Sequence, residues 1–60
     1  MKMEVLEQGA YVCYPKLHDF AIYDGVLYLF GEIDGRPKLE TVIRSWDKFI
    51  VGKDDDEASV

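Results

Sequence analysis

The side chains suited to nucleophilic chemistry are few in this chain, since Cys13 and His18 are its single cysteine and its single histidine. A catalytic thiol needs a base within hydrogen-bond reach and a third group that orients the base. Cys13 and His18 lie on opposite sides of Pro15, and no third group stands in a recognisable arrangement with them. Cys13 lies in an apolar run, where a cysteine typically behaves as a small buried hydrophobe. We therefore expect no catalytic residues and no enzymatic activity.

The sequence also offers few side chains that could bind a metal ion or a cofactor. A structural zinc site takes four Cys or His ligands, and the chain has one residue of each type. The acidic run at residues 54–57 lacks the spacing and the glycine of a calcium loop. Gly35-Arg36-Pro37-Lys38 is too short and isolated for a phosphate-binding loop. We expect neither a metal nor a cofactor.

The charge balance indicates the class of partner. Twelve acidic against seven basic side chains give a net charge of −5. Nucleic-acid-binding proteins carry a basic excess, because neutralised phosphates supply most of their affinity. The balance therefore disfavours nucleic acid. The predicted partner is a protein with a basic surface, and the alternative is that the acidic surface simply keeps a small domain soluble. A candidate acidic surface for that partner comprises Glu4, Glu7, Asp47, Asp54, Asp55, Asp56 and Glu57.

Chain length and cysteine content bound the organisation and the compartment. Sixty residues allow one domain, which we place at residues 1–52, followed by a disordered acidic tail at residues 53–60. A lone cysteine is typical of a reducing compartment, because small secreted domains usually carry several disulfides. No stretch approaches 18 consecutive apolar residues, and the first residues do not lead into a signal-peptide core. The sequence predicts a cytoplasmic protein that does not cross a membrane.

Two Asp-Gly dipeptides, Asp24-Gly25 and Asp34-Gly35, predict hairpins, because both residue types tolerate the positive φ angles of tight turns. The flanking strands are predicted at about residues 20–23, 26–33 and 38–44. Upstream, residues 3–6 and 10–14 form one further strand or a pair. Downstream, residues 48–51 form a closing strand. The alternative for residues 44–51 is one or two helical turns capped by Ser45.

The number of residues in each turn sets the register of the strands that it joins. A two-residue turn at Asp24-Gly25 pairs Tyr23 with Val26 and places four apolar residues on one face of the sheet. These residues are Phe20, Ile22, Leu27 and Leu29. The next strand places Leu39, Thr41 and Ile43 on that face only if the second loop has an odd number of residues. We therefore predict a three-residue loop of Ile33, Asp34 and Gly35, with a bulge at the glycine. Leu29 then faces Leu39, Leu27 faces Thr41, and Glu32 lies opposite Arg36.

The second face of this meander is also apolar, which is unusual for a three-stranded sheet. Its members are Ala21, Tyr23, Val26, Tyr28, Phe30 and Val42, with Glu32, Lys38, Glu40 and Arg44 toward the edges. One interpretation is that the sheet bends at Gly31 and closes a small barrel. The other is that its aromatic residues remain exposed as a binding patch. The predicted fold is an all-β antiparallel meander that closes into an SH3/Sm-like barrel of about five strands.

Residues 14–50 contain Tyr14-Pro15, the strand segment DGVLYLFG at residues 24–31, LETV at residues 39–42 and DKFI at residues 47–50. This pattern resembles WYL domains, which are SH3/Sm-like ligand-sensing modules of bacterial regulators. The chain departs from the family pattern at three motif positions. Leu27 replaces the tryptophan, while Glu40 and Lys48 stand where arginines are expected. The resemblance implies a small barrel and a sensing role.

The sequence favours a function in binding. The predicted partner-binding residues are Tyr28, Phe30, Arg44 and Trp46, because aromatic and arginine side chains are enriched at interface hot spots. The alternative for Trp46 is that it plugs one end of the barrel, with Arg44 lying over it. The predicted function is that of a small acidic protein-binding module, such as a phage or mobile-element inhibitor that occludes a basic site by mimicking DNA. The alternative is a ligand- or nucleic-acid-sensing regulatory domain, and the oligomeric state stays open.

Overall fold

A computed structural model describes residues 1–52, and the predicted disordered tail at residues 53–60 lies outside the described residues. Within residues 1–52 the chain forms six antiparallel strands and no helix. The strands are β1 (Lys2–Glu7), β2 (Ala10–Tyr14), β3 (Asp19–Tyr23), β4 (Val26–Ile33), β5 (Arg36–Ile43) and β6 (Lys48–Gly52). They form two three-stranded sheets. The first sheet has the order β2-β1-β6, and the second sheet has the order β3-β4-β5.

Each of the three hairpins has a two-residue turn with two positive φ angles. The turns are Gln8-Gly9 (52° and 83°), Asp24-Gly25 (51° and 75°) and Asp34-Gly35 (52° and 75°). Such turns match the right-handed twist of the strands, and glycine adopts the positive φ angle without steric cost. Both predicted Asp-Gly hairpins are confirmed, as is the pairing of Tyr23 with Val26. Of the two alternatives for the upstream residues, one strand or a pair, the structure has the pair.

The predicted three-residue loop at the second Asp-Gly turn is wrong. Ile33 pairs directly with Arg36, so only Asp34 and Gly35 lie in the turn. Glu32 accordingly lies opposite Pro37 and not opposite Arg36. A two-residue turn by itself places Leu39 opposite Phe30, which puts the alternating pattern of β5 on the wrong faces.

Glu40, inside β5, is the extra residue that returns Thr41 and Ile43 to the face of Leu27 and Leu29. Phe30 pairs with Leu39, but the next residue, Leu29, pairs with Thr41, so Glu40 forms a β-bulge. The predicted partners of Leu29 and Leu27 are therefore wrong, since Leu29 lies opposite Thr41 and Leu27 lies opposite Ile43. The predicted placement on the inner face is confirmed for Thr41 and Ile43 and is wrong for Leu39, which lies beside Phe30 on the other face. For Thr41 and Ile43 the parity requirement holds. One unpaired residue anywhere between the turn and Thr41 satisfies it, and the chain places that residue in the strand.

The core lies between the two sheets. Its buried members are Met3 and Val5 of β1, Leu17 of the β2–β3 connection, and Leu27, Leu29 and Ile43 of the second sheet. The Phe20 ring of β3 meets the Phe49 ring of β6 edge to face, with ring centroids 5.3 Å apart. Apolar faces of two packed sheets hold a β-sandwich together in this way.

The predicted barrel is wrong, because the two sheets are not joined into one closed sheet. No ladder connects β2 or β6 to β3 or β5 within the described residues. Isolated hydrogen bonds tie the two connections to the first sheet and to the residue before it. Leu17 N–H donates to Met1 O at 2.8 Å, the Met1 ammonium donates to Leu17 O at 2.7 Å, and Asp47 N–H donates to Leu6 O at 2.9 Å. The chain has a sixth strand because residues 2–7 and 10–14 form a hairpin and not one strand.

The connection before β6 is irregular, and the helical alternative capped by Ser45 is wrong. Residues 44–47 cross from the second sheet back to the first in bends. β6 then pairs antiparallel with β1, so that Val5 lies opposite Phe49. This pairing buries one side of Phe49 in the core and explains why the segment extends as a strand.

Candidate protein-binding face

The second sheet has an apolar face that points away from the core, called the outer face below. Side chains alternate along a strand, so the burial of Leu27 and Leu29 places their chain neighbours on the opposite side. The cross-strand register extends this face to β3 and β5. Its members are Ala21, Tyr23, Val26, Tyr28, Phe30, Leu39 and Val42.

These side chains retain much of their solvent exposure. Tyr23 is 74% exposed, Leu39 47% and Val42 41%, while Val26, Tyr28 and Phe30 are half-buried. In addition to Ala21, three aromatic and three aliphatic side chains thus form one contiguous apolar surface. Antiparallel sheets usually present polar residues on the side that is not packed. A surface of this kind marks an interaction site.

The bulge at Glu40 decides which β5 residues belong to the outer face. Leu39 lies beside Phe30 on that face, whereas Lys38 lies opposite Gly31 on the inner side. The Glu40 carboxylate lies over Gly31, where a Cβ atom would collide with it. The prediction that Lys38 and Glu40 border the outer face is therefore wrong. The bulge moves two charges off this face and replaces them with a leucine.

Charged groups stand at opposite ends of the outer face. Arg44 follows β5 directly, at the end where Val26 lies, and has no ion-pair or hydrogen-bond partner among residues 1–52. Asp19 and Glu32 stand at the other end. The Glu32 carboxylate lies 2.9 Å from His18 Nδ1, and Asp19 Oδ1 accepts a hydrogen bond from Phe20 N–H at 2.8 Å.

The structure brings two of the four predicted partner-binding residues, Tyr28 and Phe30, together on the outer face. Arg44 follows β5 directly, at one end of that face. Trp46 instead packs on Phe49 at the edge of the core, with ring centroids 5.6 Å apart. Leu39 was not among the predicted residues, although it belongs to this face. Only the position of the bulge reveals it.

The predicted acidic surface is divided in the structure. Glu4 is exposed on the outer side of the first sheet, whereas Glu7 lies on the opposite side of β1. The Tyr14 hydroxyl donates a hydrogen bond to Glu7 Oε2 at 2.7 Å. Burial, the hydrogen bond to Glu7 and the negative charge of Glu7 together raise the pKa of Tyr14 to about 12, and burial makes the largest contribution. Asp47 lies in the β5–β6 connection, and Asp54, Asp55, Asp56 and Glu57 lie outside the described residues.

The residues suited to nucleophilic or metal chemistry stay apart. Cys13 is exposed on β2, opposite Glu4, so its predicted burial is wrong. His18 pairs with Glu32. No cluster of three His, Cys, Asp or Glu side chains suitable for a metal ion occurs in residues 1–52.

One small pocket lies where the β2–β3 connection meets β5. Its volume is about 200 Å³, below the range of typical ligand pockets. It is lined by Tyr14, Pro15, Lys16, Leu17, Glu40 and Thr41. A larger depression of about 540 Å³ is formed by the tip of the β4–β5 hairpin alone. Neither brings together a set of groups for a defined reaction.

Comparison of the chain with protein-family models, with curated proteins and with solved structures finds no match. The resemblance to WYL domains therefore has no support from these comparisons. Over residues 1–52 the structure contains no helix that is long and apolar enough to cross a membrane.

Proposed function

We propose that this protein is a small protein-binding module that binds its partner through the outer face of the second sheet. One observation carries the proposal. The apolar side chains of β3, β4 and β5 form a continuous surface, and no element within residues 1–52 packs on it. Half-exposed aromatic side chains in a sheet are held rigidly, so they lose little conformational freedom when a partner covers them. Their burial therefore contributes efficiently to affinity.

Two further features support protein as the partner class. Tyr28 and Arg44 are of the residue types that dominate interface energetics. Tyr28 lies on the outer face, and Arg44 follows β5 at one end of it. The described part of the chain carries eight acidic and six basic side chains, a net charge of −2, without the basic stripe that nucleic acid requires. The barrel on which a sensing domain would depend is not formed.

A finer form of the proposal is an inhibitor, of phage or mobile-element type, that occupies the basic site of a host enzyme. The net charge of −5 supports it, and much of that charge belongs to residues 54–57. In this form the acidic residues contact the basic site, in addition to the contact that the outer face makes with the same partner.

Site-specific photo-cross-linking tests the proposal. A benzophenone amino acid replaces Val42 on the outer face, and a matched variant carries it at Ile50, which is 52% exposed on the other sheet. Both variants are irradiated in a bacterial lysate, and the adducts are identified by mass spectrometry. We expect a discrete protein adduct from position 42 and none from position 50. Equal adducts from both positions, or none from position 42, would overturn the proposal.

The next measurement is the affinity of this protein for the partner that the adduct identifies. Tyr28→Ala is expected to weaken binding by more than tenfold, about 1.4 kcal/mol, with the far-ultraviolet circular dichroism spectrum retained. Ile50→Ala serves as the control. It removes a side chain of comparable apolar type from the opposite sheet, and its affinity is expected to equal that of the wild type.

A further inference from the structure

Within residues 1–52 four strands lie at sheet edges, β2 and β6 in the first sheet and β3 and β5 in the second. An edge strand presents backbone N–H and C=O groups that can pair with another chain, so proteins protect such edges with charges, prolines or bulges. β5 contains Pro37, which has no N–H, and the bulge at Glu40. In β3 the Asp19 carboxylate accepts a hydrogen bond from Phe20 N–H at 2.8 Å, and β6 begins with Lys48.

β2 differs from these three strands. Its residues, Ala10–Tyr14, include no charged side chain, no proline and no bulge, and four of the five are exposed. Among residues 1–52 the strand pairs only with β1. Val12 lies on the core side of the first sheet, opposite the fully buried Val5, and yet it remains 39% exposed. A further strand beside β2 would cover it.

The backbone groups at this edge belong to Tyr11 and Cys13. The pair that closes a two-residue turn is hydrogen-bonded, and bonded and non-bonded pairs alternate from there along the hairpin. Tyr11 lies opposite Leu6 in a non-bonded pair. The carbonyl of Leu6 accordingly points away from β2 and accepts a hydrogen bond from Asp47 N–H at 2.9 Å. The N–H and C=O groups of Tyr11, and of Cys13 two residues later, therefore point outward from the sheet.

We propose that β2 pairs with β2 of a second copy of this chain, in an antiparallel ladder that joins their first sheets into one continuous sheet. Backbone groups at an edge are recognised by another extended strand. The copy offers β2 for this purpose, because its three other edge strands carry the charges, proline or bulge described above.

The outward groups fix the register. With Val12 opposite Val12 of the second copy, Tyr11 of each copy faces Cys13 of the other. Each of these pairs exchanges both backbone hydrogen bonds. Only this register uses the outward groups of Tyr11 and Cys13 in both copies. The two-fold axis is perpendicular to the sheet, so the contact is isologous and both valines stay on the core side.

The side chains are compatible with this pairing. The apolar row of Phe49, Val5 and Val12 continues into the same row of the second copy. No charged side chain lies on β2, so no like charges meet across the new ladder. The net charge of −5 per copy opposes association, and about 0.15 M salt screens it, because the Debye length is then about 8 Å. A contact through one short strand is narrower than a standard interface, so we expect a weak and reversible dimer.

The dimer goes beyond the proposed function, because it uses a different surface. Pairing through β2 leaves the outer face of the second sheet uncovered, and the dimer presents two such faces. A monomeric chain therefore refutes the dimer and leaves the binding face standing. Loss of the photo-adduct from position 42 refutes the binding face and leaves the dimer standing.

Sedimentation equilibrium of the full chain with reductant, from micromolar to millimolar concentration in such salt, tests the dimer. Cys13→Pro removes an outward N–H, as Pro37 does on β5, and is expected to weaken dimerisation by at least tenfold. Cys13→Ser is the matched control, since it keeps the N–H, and its dimerisation is expected to match that of the wild type. A chain that stays monomeric throughout the range overturns the proposal, as do equal dissociation constants for the two variants.

Thermal unfolding checks that each variant is folded. If Cys13→Pro is unfolded, Val12→Lys replaces it, with Val51→Lys as control. Val51 is 45% exposed and lies on the core side of the opposite edge strand, β6. Only Val12→Lys is expected to weaken the dimer, and equal effects of the two lysines overturn the proposal.

Disulfide trapping tests the register. Opposing residues of a non-bonded pair have Cα atoms about 4.5 Å apart, a separation that a disulfide spans. Val12→Cys in a Cys13→Ser background is expected to form a covalent dimer with oxidised glutathione at least tenfold faster than Val51→Cys in the same background. Equal rates overturn the register centred on Val12.

Discussion

The indole nitrogen of Trp46 donates a hydrogen bond to the carbonyl oxygen of Gly25, with 3.1 Å between the two atoms. This bond ties the β5–β6 connection to the turn between β3 and β4. The Trp46 ring also packs on Phe49, which in turn meets Phe20 of the second sheet. The three aromatic rings thus form a row that packs against the core.

Trp46→Phe is expected to lower the free energy of unfolding by about 1 kcal/mol, because it removes the hydrogen bond and keeps an aromatic ring against Phe49. Trp46→Ala removes both contacts and is expected to cost more. Urea unfolding followed by circular dichroism measures both effects, since fluorescence loses its only tryptophan. A Trp46→Phe variant as unstable as Trp46→Ala would show that the hydrogen bond, and not the ring contact, dominates.

Leu29→Ala and Leu39→Ala delete the same side chain from opposite faces of the second sheet. Leu29 is fully buried, so its loss is expected to cost about 2–5 kcal/mol. Leu39 is half exposed, and its loss is expected to cost about 1 kcal/mol or less in the monomer. Denaturant unfolding at low protein concentration measures the difference. Equal costs would contradict the observed register of β5 relative to β4.

Deletion of Glu40 is expected to leave the fold intact. Without it, Leu39 and Thr41 become consecutive and keep their partners Phe30 and Leu29 in a regular ladder. Deletion of Thr41 is the matched control. It moves Glu40 into the position opposite Leu29, where a carboxylate faces the core, and it is expected to abolish cooperative folding. Circular dichroism and thermal unfolding distinguish the two deletions. Equal damage from both would argue against a bulge at Glu40.

Tyr14 is expected to make the protein sensitive to alkaline pH. Its folded-state pKa is raised from 10.0 to about 12, first by burial and then by Glu7. Because the folded state holds this proton more tightly, the stabilisation is fully present below pH 10 and is lost as the pH rises to 12. Tyr14→Phe is expected to show a shallower fall in stability over this range, and Glu7→Gln an intermediate one.

The absorbance of tyrosinate checks the assignment directly. The chain has four tyrosines, so the titration of Tyr14→Phe is subtracted from that of the wild type. The difference is expected to have its midpoint near the raised pKa of about 12. A midpoint at the ordinary tyrosine value would contradict both the burial of the Tyr14 hydroxyl and its bond to Glu7.

The sequence by itself determined the parts of the fold that depend on neighbouring residues. Asp24-Gly25 and Asp34-Gly35 require tight turns because of their φ preferences, and the alternation of β4 then assigns Leu27 and Leu29 to the core. Turn length and alternation together also required one unpaired residue in the second hairpin. These are local constraints, and each acts within one hairpin.

Tertiary structure decided where that unpaired residue lies, and with it the composition of the outer face. A bulge at Gly35 and a bulge at Glu40 both place Thr41 and Ile43 on the inner face, and they differ in the face on which they place Leu39. Likewise, six short strands are compatible with a barrel or with two packed sheets. The choice depends on how β1 buries Met3 and Val5 against the second sheet, and on Trp46 reaching the distant turn at Gly25. These contacts join residues that are far apart in the chain. Their energies depend on three-dimensional packing, which the sequence pattern within one strand or hairpin does not reveal.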